Sequence, residues 1–479
     1  MTLRALLEGV NCKHTFEDRV VTSIARDSRQ VKDGCVFFCI KGEKSDGHGY
    51  AQGALEAGAA AVVVERDMGL ANQVIVEDTH LAYAAACAGF FGNPARGMKL
   101  IGVTGTNGKT TITYLVKQIL TCAGAKAGLI GTIHNEIGDT VIPAKHTTPD
   151  PFQLHAMLAR MAEAGCEYVV MEVSSHALDQ KRVEGLRFAA AAFTNLTQDH
   201  LDYHKDMESY YQAKKKLFSM CDTAVINADD EYGRRLCGEI TCNTLTYACE
   251  RRDANYTAHD ILFSASGSRF TFLAGDKLAK VNFVQPGLFS VSNAMAAAVL
   301  CLAAGIGLDA VMQGLNSCKG VPGRFEILPT NTPYTVIRDY AHSPDGLEKL
   351  LTTIRAFAPN RVVTLFGCAG NRDRTKRPLM AEAAARLSDF CIITSDNPRD
   401  EEPHQIINDA LPGIKQHRTP YRAIADRYEA IRWALKNSQP DDILVLAGKG
   451  HEDYQVLDYG TIYFDEREIV LGMLGIKES

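Results

Sequence analysis

No stretch of this chain is long and apolar enough to cross a bilayer. The greasiest region, MAAAVLCLAAGIGL at 295–308, falls short of the roughly 20 residues a spanning helix needs and carries glycines. It reads as a buried helix following Ser292 and Asn293. The start, MTLRALLEGVNCKH, has no apolar core of secretory length. Positive charge is not in excess: 51 Lys and Arg against 57 Asp and Glu leave −6, whereas nucleic-acid binders are usually basic. The 14 cysteines are scattered and include no C-x-x-C pair, so the expectation is reduced thiols in a cytoplasmic protein rather than a disulfide framework. Internal repeats and low-complexity tracts are absent as well. What remains is an ordinary globular composition, 46% hydrophobic and 23% charged, in 479 residues that are too many for one core.

Short β-branched runs alternate with alanine- and leucine-rich helical stretches. AAVVVE (60–65), LIGVTG (100–105), YVVMEV (168–173), TAVINA (223–228), RVVTLFG (361–367), DFCIITSD (389–396) and DILVLAG (442–448) are the expected strands. Unbroken apolar strands separated by helices imply parallel sheets covered on both faces. Punctuation at GNPARGMK (92–99) and KGVPGRFE (319–326) divides the chain into 1–97, 98–324 and 325–479. The expectation is an α/β protein of three domains. The central one is of the P-loop ATPase type with a mostly parallel sheet, the C-terminal one is Rossmann-like, and the N-terminal one is a smaller α/β unit.

IGVTGTNGKTTIT at 101–113 looks like a phosphate loop cut short. In the usual G-x-x-x-x-G-K-[ST], the first glycine would fall at Val103; Gly102 and Gly105 flank it, while Gly108, Lys109 and Thr110 complete the ending. A strand before and a helix after are the setting such a loop needs, because the helix N-terminus adds its positive dipole to the backbone N–H groups. Lys109 would reach the β- and γ-phosphates, and the Thr110 hydroxyl a Mg²⁺ ion. Glu172 ends an apolar strand, where nucleotide enzymes hold magnesium through a carboxylate. After another strand, FTNLTQDHLDYH at 193–204 packs Asp199, His200, Asp202 and His204 together. Without soft ligands this cluster suits a hard cation or a phosphate better than a zinc cage.

GTNGKTT, MEVSSH, TNLTQDHLDYH and the following Y-x-x-A-K-x-x-L-F together resemble the Mur ligases of peptidoglycan precursor synthesis, which use a shortened phosphate loop. DSRQVKDGCVFFCIKGEKSDGHGY (27–50) resembles the family's module for the UDP end of the substrate, and VPGRFE (321–326) with RDYAHSPDGL (338–347) its junction with the C-terminal domain. The resemblance implies an ATP site of Gly105, Thr106, Asn107, Gly108, Lys109, Thr110, Thr111, Asn293, Arg324 and Asp339. It implies magnesium on Thr110, Glu172, His200 and Lys214, the last as a carbamate (N6-carboxylysine), with Lys109, Glu172, His200 and Lys214 as the catalytic set. Thr147, Thr148, Ser174, Gln180 and Arg182 would hold the muramoyl-peptide; Ser28, Glu43, Lys44 and Ser45 would take the uridine end.

The implied chemistry is amide formation through an acyl phosphate, made with ATP and shielded from water by closure of the C-terminal domain. In ITSDNPRDEEP (392–402), Asp396-Asn397-Pro398-Arg399 resembles the signature of members that add meso-diaminopimelate, with Arg372, Gly448 and Glu452 matching further contacts to it. Diaminopimelate carries one carboxylate more than lysine, and a guanidinium fork suits it. Members that add lysine are the alternative, and those acting on folate a more distant one. The expected partners are small molecules only, with no nucleic acid and no membrane span, and the expected state is a monomer.

Overall fold

The computed structural model describes residues 1–42, 45–264 and 266–476. Near the N-terminus four short strands, β1 (Ser23–Ala25), β2 (Cys35–Phe38), β3 (Ala61–Val64) and β4 (Gln73–Ile75), lie side by side in chain order, all parallel. Every residue of β2 and β3 is buried, as expected of strands covered on both faces.

The middle of the chain builds an 11-stranded sheet. Its strands are β5 (Lys99–Thr104), β6 (Ala127–Ile130), β7 (His134–Ile137), β8 (Thr140–Pro143), β9 (Tyr168–Glu172), β10 (Phe188–Phe193), β11 (Cys221–Asn227), β12 (Asn243–Ala248), β13 (Tyr256–Ser264), β14 (Gly267–Ala274) and β15 (Lys277–Phe283). The order is β15-β14-β13-β12-β11-β10-β5-β9-β6-β7-β8. From β13 to β6 the neighbours are parallel; the pairs β13–β14, β14–β15, β6–β7 and β7–β8 are antiparallel. The expected strands are all present, and the antiparallel edges are an addition to them. One face is covered by the helices Lys109–Cys122 and Leu288–Ala303, the other by Pro151–Glu163 and Met207–Lys215. The apolar helix expected after Asn293 begins earlier, at Leu288, directly after Gly287 at φ 101°, so Ser292 and Asn293 lie inside it.

A third sheet, of six strands, comprises β16 (Glu326–Ile327), β17 (Thr335–Asp339), β18 (Val362–Cys368), β19 (Phe390–Ser395), β20 (Tyr421–Ala423) and β21 (Ile443–Ala447) in the order β16-β17-β21-β18-β19-β20, parallel apart from β16. A hairpin, β22 (Tyr454–Leu457) with β23 (Gly460–Tyr463), follows. Among the described residues no helix is long and apolar enough to cross a membrane.

This topology decides where ligands can sit. In the central sheet β5 stands between β10 and β9, so the chain leaves it toward opposite sides, and open α/β sheets bind ligands beyond the carboxyl ends of strands at such a point. The phosphate-loop sequence follows β5, and Glu172 is the last residue of β9. In the third sheet Asp339 ends β17, Arg372 follows β18, Asp396–Arg399 follow β19 and Gly448–Glu452 follow β21, all on the same carboxyl edge.

Candidate active site

The shortened loop is shaped by its glycines. Gly105 sits at φ 145°, and a Cβ there would lie 1.8 Å from Thr194 Oγ1; Gly108, at φ 91°, caps the helix Lys109–Cys122 against Asn293. The loop is pinned from β10's end, where Asn107 N–H donates to Asn195 Oδ1 at 3.0 Å and Thr194 Oγ1 donates to the Asn107 carbonyl at 2.6 Å. Lys109 folds back, its Nζ donating to the carbonyls of Gly105 (2.9 Å) and Thr106 (2.8 Å).

Two clefts meet at this loop. The larger, of about 710 Å³, is lined by Asn107, Gly108, Thr111, Asn227, Asn293, Arg324 and Asp339. The smaller, of about 440 Å³, gathers the loop with Glu172, Lys214, His200, Thr147, Thr148, Ser174, Arg182 and Arg372. Most of the expected ATP, metal and muramoyl-peptide residues thus face one of two connected spaces, with Arg324, Tyr340 and His342 lining both. The buried Nε of Arg324 has no hydrogen-bond partner, its guanidinium lies over the Tyr340 ring, and its NH2 donates to Thr110 Oγ1 at 3.1 Å. Asp339 is occupied locally: its oxygens accept from the N–H groups of Phe325 and Ala341, both at 2.7 Å.

Glu172 is held by Thr110 Oγ1 (3.0 Å), Thr132 Oγ1 (2.9 Å) and Thr132 N–H (2.8 Å). Lys214 is 1% exposed and donates to the same Gly105 carbonyl as Lys109, at 2.8 Å, while lying over the Tyr210 ring. Burial, and then the neighbouring Lys109, push its amine well below the ordinary lysine range. Among the described residues no three His, Cys, Asp or Glu side chains converge as a metal site. The donors lining the cleft are instead the Thr110 hydroxyl, the Glu172 carboxylate, the His200 ring and the Lys214 amine, a set without soft ligands.

The substrate-side residues form a chain of contacts beside Glu172. Thr148 Oγ1 donates to the Glu172 carbonyl (2.8 Å) and accepts from Ser174 N–H (3.0 Å); Arg182 donates to the Thr148 carbonyl (2.9 Å) and to Gln180 Oε1 (2.6 Å). Thr147 and Thr132 hydroxyls lie 3.0 Å apart. In the third sheet, Arg399 takes a left-handed conformation (φ 56°) and donates to the Gly370 carbonyl at 2.6 Å, while Arg372 donates to the Asn371 carbonyl. Burial and then Arg372 lower the Arg399 pKa, so two guanidiniums share a space that an anion would relieve.

Family models match in three blocks: the Mur ligase family catalytic domain at 20–89, the Mur ligase middle domain at 103–301 and the Mur ligase glutamate ligase domain at 323–450. The UDP-N-acetylmuramoyl-L-alanyl-D-glutamate–2,6-diaminopimelate ligase of Caldanaerobacter subterraneus subsp. tengcongensis is 45% identical, covering 100% of both chains; that of Clostridium tetani is 44% identical over 94% of each. A solved ligase of the same name matches with a TM-score of 0.70 at 34% identity, over 95% of both chains. The chain belongs to the Mur ligase family.

As a Mur ligase it is an ATP-dependent ligase. Of the residues expected at the uridine end of this Mur ligase, Ser28 opens a short 3-10 turn capped by Asp27, and the Ser45 carbonyl accepts from Gly42 N–H. Glu43 and Lys44 lie outside the described residues. The N-terminal segment reaches the central one through Arg26–Asp150 (3.7 Å) and Lys181–Asp78. Two groups escaped the sequence reading. Lys449 is fully buried among Asn397 and Glu452, and Arg427 is fully buried under the ends of β19 and β21. In sequence the first is a lysine between two loop glycines and the second an arginine at a helix start, both ordinary surface patterns.

Proposed function

We propose that this Mur ligase joins meso-diaminopimelate to the D-glutamate of UDP-N-acetylmuramoyl-L-alanyl-D-glutamate, acting as a cytoplasmic monomer on small molecules alone. Residues 1–97 take the UDP end, 98–324 bind ATP, and 325–479 bind the amino acid. The observation that carries this reading is the single cleft in which the loop, Glu172, Lys214, Thr147, Thr148, Arg182 and Arg372 face one another.

The γ-phosphoryl of ATP moves to the substrate carboxylate oxygen and ADP is released from it, leaving an acyl phosphate. The amine nitrogen of diaminopimelate then attacks the acyl carbon, the C–O bond to phosphate breaks, and the amide forms. Loop N–H groups and Lys109 stabilise charge on the transferring phosphoryl, and Arg324, which lines both clefts, adds positive charge from the C-terminal side. Thr110, Glu172, His200 and a carboxylated Lys214 would hold magnesium, which would neutralise phosphate charge when bound. Burial lowers the Lys214 pKa, which favours the unprotonated amine whose lone pair can add CO₂, losing one proton and gaining a carboxylate. Arg399 and Arg372 take the far carboxylate of diaminopimelate, and Glu452 its far ammonium.

The test is phosphate release from ATP with UDP-N-acetylmuramoyl-L-alanyl-D-glutamate and either meso-diaminopimelate or L-lysine. Turnover with diaminopimelate alone is expected. Turnover with lysine alone would keep the ligase chemistry and overturn the specificity.

A further inference from the structure

Lys449 occupies a place that nothing in the proposed chemistry uses. It follows β21 between Gly448 and Gly450, both at positive φ, and its side chain is 0% exposed. A lysine buried this completely must have its charge met. Its Nζ donates to Asn397 Oδ1 and to Glu452 Oε2, each at 3.1 Å, and lies 4.0 Å from Asp396 Oδ1.

These contacts fix more than the lysine. An ammonium only donates, so the Asn397 atom it touches must be the amide oxygen. That oxygen also accepts from Val456 N–H at 3.0 Å, which fills both its lone pairs and turns Nδ2 toward Glu452 Oε2, at 2.9 Å. Glu452 is therefore gripped through one oxygen by two donors. Its other oxygen, Oε1, accepts a long contact from Tyr340 OH at 3.3 Å, and the Tyr454 hydroxyl also hydrogen-bonds the carboxylate. The result is a carboxylate anchored on one side and presented on the other, the arrangement a cationic group of a bound amino acid requires.

We infer that Lys449 is the positioning residue of the amino-acid pocket: it sets the orientation of the Asn397 amide and anchors Oε2 of Glu452 so that Oε1 faces the ligand's ammonium. The inference rests on the proposed function, through the assignment of Asn397 and Glu452 to the amino-acid site. Lysine at this position does not touch substrate itself.

Lys449→Met keeps length and apolar volume while removing both donated bonds. The expected result is a KM for meso-diaminopimelate raised roughly ten- to hundredfold, the range for losing hydrogen bonds to a charged group. The KM values for ATP and the UDP-linked substrate should stay within about threefold of wild type. Lys449→Gln, whose amide still offers two N–H donors, should fall between the two. In a Glu452→Gln background the Met substitution should add little further, because its effect passes through Glu452. Stabilisation of each variant by ADP in thermal unfolding reports an intact fold. A folded Met or Gln variant with unchanged KM for diaminopimelate, or a KM effect fully additive with Glu452→Gln, overturns the inference while the ligase reading stands. Wild-type enzyme that does not turn over diaminopimelate overturns the ligase reading and this inference with it.

Discussion

Arg427 offers the sharpest test of how the C-terminal third of the molecule is held together. Its guanidinium donates from Nε to Glu466 Oε1 at 2.8 Å, from NH1 to the Ser395 carbonyl at 3.1 Å and from NH2 to the Ala447 carbonyl at 2.8 Å. Those carbonyls end β19 and β21, immediately before Asp396–Arg399 and Gly448–Glu452. Both side chains are buried completely, and Glu466 Oε2 already lacks a partner. Arg427→Met would strand the Glu466 carboxylate in the interior and leave two carbonyls without their donor. Breaking such a buried pair from one side costs about 3–5 kcal/mol. For a unit of some 150 residues, where each kcal/mol shifts the midpoint by about 2–4 °C, the C-terminal unfolding transition should fall by roughly 6–20 °C. Replacing both partners by apolar residues of similar volume is often neutral, so Arg427→Met with Glu466→Leu should recover more than half of the loss. Calorimetry on the four proteins of the cycle measures this directly. A single substitution that costs under about 1 kcal/mol, or a double one no better than the single, would refute the idea that this pair clamps the two strand ends.

Other consequences are simpler to state. Lys214→Ala should abolish amide formation, with partial return on adding bicarbonate or a short carboxylic acid; unchanged activity would dismiss the carbamate. Gly105→Ala places a Cβ 1.8 Å from Thr194 Oγ1 at φ 145°, so ADP should no longer raise the melting temperature. His155 is 2% exposed with both ring nitrogens unpaired, and burial alone lowers its pKa to about 4. The unfolded chain binds a proton there below about pH 6.5 that the native state refuses, so stability falls as pH drops from about 6.5 to about 4, by about 3 kcal/mol in full. His155→Leu should remove that share of the acid slope in denaturant titrations, and an unchanged slope would count against it. Arg399→Lys should raise the KM for diaminopimelate at least tenfold while sparing ATP, because a point charge cannot replace the fork.

Parallel strands and the loop were legible because their signals are local: an apolar run of five or six residues, then glycines, then a helix. Glu172 was legible for the same reason, as the acid at the end of a run. The antiparallel extension β13–β15 was not. In β13 buried Thr257 and Ala258 give way to exposed Leu262 and Phe263, so its apolar pattern does not mark a core strand. The start of the helix Leu288–Ala303 was misplaced because Ser292-Asn293 has the composition of a cap, whereas Gly287 performs that turn. Arg427 and Lys449 show the deeper limit, and Lys214 was reached only through the family motif, not from its own residue type. A charged side chain is read as solvated from sequence, and whether it is buried depends on partners tens to hundreds of residues away. Lys214 meets Gly105, and Arg427 meets Ser395 and Glu466.

The contacts between the central sheet and the third sheet bear on how the enzyme turns over. Around the clefts they include polar bonds, Asn107 Nδ2 to Asp345 Oδ2 at 3.0 Å, Arg324 NH2 to Thr110 Oγ1 at 3.1 Å and Lys376 Nζ to Asp199 Oδ1 at 3.4 Å, beside one aromatic contact, Phe289 against Phe325. Burial opposes the Asp199 charge, yet His200, Lys376 and His342 outweigh it and hold the carboxyl well below the usual range. Two of those three groups come from the third sheet's side, so part of the clasp is electrostatic, with Phe289 packed on the third sheet's core as its apolar part. Polar bonds of this kind contribute on the order of 1 kcal/mol each, far less than an apolar interface of similar extent. Polar contacts of this strength leave a margin that a ligand touching both Asn107 and Arg324, which line the same cleft, would shift. On the proposed mechanism, a tighter, apolar seam would hinder any opening needed to release ADP and product.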